Sequence, residues 1–295
     1  MHRLTYNELR LDFAIKLASP LSIQTQELPP HFVRSAHPYD GELSLYIPGG
    51  TLKGTLRRAA EHVLQAVKLD CCDSEHSCDT RSTVKSATTP AAVYHALCST
   101  CRIFGSPLIR SHLMVTDSFP VEPLKAIITR RNTGESTEIV QNETFYGTLS
   151  LRNFERWQVG LLALLIARIN MADVQIGAHR SEGMGCIILR YRCLTLLYPG
   201  LDSTPVQQDR LRTRLHGVGQ FMGAGNAYGF TYPDLSDQAD LPENVVFERD
   251  MSHSAVFIMA DDPDAENSSH TLIDDVLTRQ AVHWSSYVRS HKANH

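Results

Sequence analysis

The hydrophobic pattern of this chain changes period at fixed places, and those changes limit the fold more than any other feature. Leu9, Leu11, Phe13, Ile15 and Leu17 alternate with polar residues or Ala, which predicts a half-buried strand. Pro20 to Gly50 then runs without a clear period and carries five prolines. That length exceeds an ordinary connection and suits a functional loop. After Pro48-Gly49-Gly50 the period lengthens. Leu52, Leu56, Ala59, Val63 and Val67 predict a helix over about 51–68 with one buried face. Residues 110–150 read as strands and a hairpin, with Phe145, Leu149 and Leu151 on one face. Asn153 is placed to cap a second helix, whose apolar side is Phe154, Trp157, Leu161, Leu164 and Leu165. A further strand is predicted over 186–197, where Arg190 and Arg192 alternate with Ile187, Leu189 and Tyr191.

Strand, helix, strands, helix, strand is the ferredoxin-like order, an α+β fold. At 295 residues the chain can bury a sizeable core. No segment approaches the roughly 18 apolar residues of a membrane span and no signal peptide opens the sequence, so a cytoplasmic protein without a membrane partner is expected. The net charge of −4 is unevenly spread. Residues 1–200 carry a net +3 and residues 201–295 a net −7. An acidic C-terminal extension over 199–295 therefore masks a mildly basic domain over 1–198.

Three stretches carry chemistry. Lys53 and Arg57 lie four apart at the predicted helix start, with Arg58 beside them, where free N–H groups and the positive dipole end favour a phosphate. An ordinary helix start with solvated cations would look the same. The loop Gly177 to Gly185 follows a helix and precedes a strand, which excludes a dinucleotide fingerprint. Its glycines let backbone approach a ligand closely, and His179, Arg180 and Ser181 can add phosphate or 2′-hydroxyl contacts; a plain tight connection is the competing reading. The run Gly217 to Phe230 is rich in Gly with interspersed Phe and Tyr. A subunit contact, an RNA-facing loop and a flexible segment all remain open for it.

The residues also resemble a known family. Ile47-Pro48-Gly49-Gly50-Thr51-Leu52-Lys53-Gly54-Thr55-Leu56-Arg57 is similar to the I-P-G-S-S-L-K-G-x-x-R signature of the RAMP superfamily, the RNA-binding subunits of CRISPR effector complexes. Cys98-Ser99-Thr100-Cys101-Arg102-Ile103-Phe104-Gly105 resembles its C-x-x-C-R-x-F-G, and Ile176 to Gly185 its I-G-x-x-x-S-x-G-x-G loop. Ile128 to Gly134 resembles the segment that leads into the family's thumb hairpin, here about 127–148. The resemblance covers about 5–198 and is nearest to type III backbone subunits. It implies a modified RNA-recognition-motif core. It also implies a subunit of an antiviral ribonucleoprotein that polymerises head-to-tail along crRNA with other effector subunits and presents the guide to a complementary target, RNA in preference to DNA. The implied guide contacts are Arg34, Gly50, Thr51, Lys53, Arg57, Arg58, Arg130, Arg131, His179, Arg180, Ser181 and Gly183.

Five of the seven cysteines fall between 71 and 101, the pattern of metal binding in a reducing compartment and not of a disulfide framework. Zinc takes four thiolate or imidazole ligands, often in short-spaced pairs. Cys98 and Cys101 form one pair. Cys72 and Cys78 are the favoured second pair, with Cys71 or His76 as substitutes, in an insertion over about 70–105 that has little else to hold it folded.

Cleaving relatives carry an Asp in a pattern like D-x-P-V-x-R in the loop before the first helix. Aligned on Val33-Arg34, that position falls on Pro29 or Pro30, and proline supplies neither base nor metal ligand. RNA cleavage through the 2′-hydroxyl needs a positioned base, for which Glu27, His31, His37 and Asp40 are the remaining candidates. The resemblance therefore implies guide binding without cleavage. A cutting RAMP endoribonuclease, or a capping or guide-processing subunit, are the alternatives.

Overall fold

The computed structural model describes residues 5–27, 30–72, 77–130, 136–199, 214–221, 238–241, 246–249, 255–260 and 272–292. The elements in chain order are β1 (Glu8–Leu17), β2 (Arg34–Ala36), β3 (Leu43–Leu45) and α1 (Gly49–Ala66), then the short helices α2 (Ser82–Lys85), α3 (Pro90–Ala96) and α4 (Ser99–Phe104). These are followed by β4 (Leu113–Val115), β5 (Ile127–Arg130), β6 (Ser136–Ile139), β7 (Thr144–Arg152), α5 (Arg156–Asn170) and β8 (Ile187–Tyr198). The remainder comprises β9 (Arg214–His216), β10 (Gln238–Asp240), β11 (Val246–Arg249), β12 (Ala255–Ala260) and α6 (Leu272–Lys292).

The main sheet has the order β11-β12-β8-β1-β7-β4, every neighbour antiparallel. Four consecutive strands at one end of it, β8-β1-β7-β4, are linked by the α1 and α5 crossovers in the ferredoxin-like order. The alternation read in β1 sets the register. Leu9, Leu11 and Ile15 stand opposite Leu151, Leu149 and Phe145 of β7, and all six are buried. The register of β8 against β1 slips between Asp12, opposite Cys193, and Phe13, opposite Tyr191, so Arg192 is an extra residue in the ladder.

Helix α5 starts two residues later than its sequence suggests. Asn153 does not cap it. Asn153 has φ 50° and accepts from the Tyr6 N–H at 2.8 Å, while Glu155 caps the helix in a reciprocal capping box with Gln158. Nearly the whole circumference of α5 is buried because α6 covers its outer side. Trp157 stacks on Tyr287 with ring centroids 4.1 Å apart, and Gln280 is fully buried beside Arg156. The Tyr287 hydroxyl also meets Ser99 Oγ at 2.8 Å, joining α6 to the cysteine-rich insertion. The described parts of 199–295 thus extend the sheet through β12 and β11 and complete the packing of α5.

Candidate nucleic-acid interface and metal centre

The cysteine-rich insertion folds around four sulfurs. Cys72, Cys78, Cys98 and Cys101 are buried with their Sγ atoms within 4.8 Å of one another. Cys72 Sγ lies 3.4 Å from Cys78 Sγ, 3.4 Å from Cys101 Sγ and 3.8 Å from Cys98 Sγ. A tetrahedral ion with metal–sulfur bonds of roughly 2.3 Å needs sulfurs about 3.8 Å apart. The donors around them suit thiolates. The N–H of Cys78 points at Cys72 Sγ (3.2 Å), that of Cys98 at Cys78 Sγ (3.3 Å) and that of Cys101 at Cys98 Sγ (3.5 Å). Hydrogen bonds from Cys101 and Cys78 hold the Cys98 thiol far below its ordinary value, and Cys101 is driven up by donating to Cys78 and Cys98 and by burial. Sulfurs so crowded and buried cannot all ionise without a cation among them. The cluster therefore fits a four-coordinate metal with no open position. Cys71 stands outside it, its Sγ 3.8 Å from the Glu61 carbonyl and its thiol raised to about 11 by burial. His76 lies outside the described residues.

This centre is tied directly to α1. Arg57 donates through Nη2 to Cys101 Sγ (3.5 Å), through Nη1 to the Gly105 carbonyl (3.0 Å) and through Nε to Glu61 (3.0 Å). Arg57 is thus a strut between α1 and the insertion, not a solvated cation. Arg102 of the same motif binds the carbonyls of Tyr94, Leu97 and His95, which end α3. Beside the strut, Lys53, Arg57, Arg110 and the loop from Phe104 to Ser111 line a cleft of about 500 Å³ with no carboxylate in its lining. Burial first, and then the neighbouring Arg57 charge, pushes the Lys53 amine below its ordinary value. Arg110 carried no signal in the sequence reading.

The helix start itself is occupied from within. Asp117 Oδ1 accepts from the Gly49 N–H at 2.8 Å, and the Thr51 N–H turns back to Pro48 O at 2.9 Å. A protein carboxylate holds the place where the sequence suggested a phosphate, and the Lys53 cleft lies further along the helix. Gly50 and Arg58 are exposed and Thr51 is half-buried.

The glycine loop is built tightly. Gly177 and Gly185 have φ near +80°, and a Cβ at either would strike a carbonyl oxygen, that of Ser22 at 2.3 Å or of Ile176 at 1.9 Å. Ala178 N–H donates to Ser22 O and Gly185 N–H to Pro20 O, so the loop is stitched to the segment before it. His179 pairs with Gln24 (3.1 Å) and approaches Glu182 (3.5 Å). Arg180, Ser181 and Gly183 are left exposed on the outside of this knot.

The loop 24–40 is ordered by the β5–β6 hairpin. Glu138 of β6 accepts from the Phe32 N–H (2.6 Å) and from Arg34 (2.8 Å). Burial alone would raise the Glu138 carboxyl; the Arg34 and Phe32 hydrogen bonds outweigh it and hold it low. His37 is 2% exposed, bonded to the Pro120 carbonyl at 3.0 Å and 3.4 Å from Asp40. It is a core histidine and not the surface loop residue its sequence context suggests. Asp40 is exposed and accepts from the Glu42 N–H in a turn, while Glu27 and His31 are exposed. Pro30 is exposed and Pro29 lies outside the described residues. In the hairpin, Arg130 ends β5, Arg131 lies outside the described residues, and residues 144–148 already belong to β7. Ile127 and Ile128 are exposed at its base.

A comparison with protein families matches residues 16–188 to the RAMP superfamily. The chain belongs to the RAMP superfamily. The matched span holds the four-cysteine cluster, the Lys53 cleft and the glycine loop. No curated protein sequence matches. Among solved structures, a chain from one titled Type IV-B CRISPR Complex is similar at 16% identity and TM-score 0.45, covering 66% of this RAMP protein and 93% of that chain. No helix among the described residues is long and apolar enough to cross a membrane.

Proposed function

We propose that this RAMP protein is a guide-RNA-binding backbone subunit of a CRISPR effector complex, assembling in head-to-tail copies along crRNA and presenting it to a complementary target strand without cutting that strand. The observation that carries the reading is the cleft of Lys53, Arg57 and Arg110. Arg57 is paired with Glu61, but no carboxylate in the cleft lining faces Lys53 or Arg110, and the depressed Lys53 amine would be relieved by an anion. A phosphate backbone is the polyanion that suits an open groove of this kind. Exposed Arg58 and Arg180 add positive charge to the surface, Ser181 adds an exposed hydroxyl, and Arg34 supports the loop 24–40 through Glu138. The absence of cleavage rests on His37, which is locked into the core, and on Asp40, which is engaged in a turn. Zinc in the four-cysteine centre would hold the insertion and, through Arg57, the cleft wall.

The test is a filter-binding titration of guide RNA across salt. Lys53→Ala with Arg110→Ala should weaken binding to every sequence and reduce the salt slope by about two, roughly one per lost phosphate contact. Unchanged affinity and slope would remove the cleft from the interface. Incubating the wild-type filament with complementary RNA and divalent metal tests the second half. Periodic cuts abolished by substituting Glu27 or His31 would make the chain a nuclease.

A further inference from the structure

A cavity of about 790 Å³ shares no lining residue with the Lys53 cleft and is built from β1, β7, β8 and the segments around Tyr39 and Asp117. Its size falls within the roughly 300–1,000 Å³ of small-ligand sites. Asp12, Tyr39, Phe119, Tyr146, Thr148 and Arg192 are among its lining residues. The slip in the β1–β8 ladder turns Arg192 and its neighbour Cys193 toward the same cavity, where ordinary alternation would send them to opposite faces. Arg192 consequently sits over the Tyr146 ring, 5.0 Å from its centroid, with its side chain exposed. Phe119 is backed by Tyr46 in a stack with centroids 5.3 Å apart, and Tyr39 stands 89% exposed at the rim.

The polar groups favour a base over a phosphate. Asp12 and Asp117 both line the cavity and outweigh the single guanidinium, so a backbone phosphate would be repelled. Both carboxylates are oriented: Asp12 Oδ1 accepts from Thr148 Oγ1 (2.6 Å) and Asp117 Oδ1 from the Gly49 N–H (2.8 Å). Each keeps a second oxygen that can only accept. A ligand that offers N–H donors on one edge and a flat π-face matches them. Unpaired RNA bases are held by stacking on aromatic rings and guanidinium planes, with hydrogen bonds to their edges. Guanine presents a ring N–H and an amino group side by side, the pattern a carboxylate accepts.

We propose that this cavity is a second nucleic-acid subsite which takes one unpaired guanine of RNA, stacked on Arg192 and read by Asp12. The proposal rests on the nucleic-acid reading above and concerns a site that shares no lining residue with the Lys53 cleft. Its test is photocrosslinking of wild-type protein to single-stranded RNA carrying one 6-thioguanosine, with the crosslinked peptide mapped by mass spectrometry. Adduct on 144–152 or 187–198 is expected. In competition, RNA with one guanine should bind roughly ten-fold tighter than the same RNA with adenine there, and Asp12→Asn should erase that preference. Arg192→Lys separates stacking from charge, because it keeps the cation and loses the plane; crosslinking should fall with it as with Arg192→Ala. Thermal melting checks that each variant folds. Adduct confined to other peptides, or a guanine preference that survives Asp12→Asn in folded protein, overturns the proposal. Lys53→Ala must lower affinity for all sequences and leave the preference intact, so guide binding and this subsite succeed or fail separately. Binding of Mg²⁺ by the carboxylates, seen as guanine crosslinking lost on adding the ion, would also count against it.

Discussion

Gly160→Ala gives the sharpest check on the packing between α5 and α6. A Cβ at Gly160 would lie 2.3 Å from the Gln280 carbonyl oxygen, 2.9 Å from its carbon and 3.1 Å from Trp284 Cβ. An ordinary carbon–oxygen contact needs roughly 1 Å more, and the obstacle is helix backbone that no rotamer change can clear. Alanine gains about 1 kcal/mol of helix propensity over glycine. Overpacking costs typically 1–3 kcal/mol, and pushing α6 outward also loosens the Trp157–Tyr287 stack. With helix backbone as the obstacle and the stack loosened, the cost falls in the upper half of that range, leaving a net loss of about 1–2 kcal/mol. For a domain of this size that lowers Tm by roughly 2–8 °C. Gly54→Ala is the matched control. It sits in α1 with nothing within 4 Å of the new methyl, so propensity acts alone and Tm should rise. Calorimetry or circular dichroism melts of both variants suffice. A Gly160→Ala protein that melts at or above wild type would falsify the close approach of the two helices.

Freshly purified protein should carry about one zinc per chain. Cys98→Ser with Cys101→Ser should lose it, and increased proteolysis of 70–105 would register the unfolded insertion. Cys71→Ser should leave metal content unchanged; a fall would place Cys71 among the ligands. Burial, then Arg214 and Arg156, depresses His216 to about 4 from 6.5. Its folded pKa lies below the unfolded value, so stability is full above pH 6.5 and falls as pH drops toward 4. The loss should reach about 2 kcal/mol by pH 5, and denaturant midpoints should lose part of that slope in His216→Asn. Ile127→Ser with Ile128→Ser should shorten RNA-templated filaments in electron micrographs without lowering Tm, since both side chains are exposed. Filaments of wild-type length would argue that the hairpin base is not a subunit contact.

The local patterns of this chain were legible because local physics governs them. The alternation from Leu9 to Leu17 and the apolar spacing from Leu52 to Val67 mark elements whose faces are buried, except at half-buried Leu17 and Val67. The two cysteine pairs announced their cluster because ligand spacing is a short-range property. What stayed hidden depends on contacts distant in sequence. Arg57 reads as a surface cation until Cys101 and Gly105 fold back onto it, 44 and 48 residues away. His37 reads as a loop residue until Pro120 closes over it. One miss had a visible signal: Glu155 and Gln158 form a capping box three residues apart, which outweighs Asn153 as a cap. The strands Val246–Arg249 and Ala255–Ala260 and the helix Leu272–Lys292 carry apolar patterns, but no sequence signal said that they join the sheet of β1 and the packing of α5.

That late covering of α5 has a consequence for synthesis. A ribosome delivers Trp157, Gly160 and the rest of α5 about a hundred residues before α6, which begins at Leu272. Through that interval the nascent ferredoxin-like core has its sheet and both crossover helices but a bare apolar flank. Contacts closed over so long a span form slowly, and exposed flanks of this kind are where multidomain chains misassemble. The chain therefore needs either a holding chaperone or rapid release, and synonymous pausing between 170 and 272 should lower soluble yield more than the same pausing before α1.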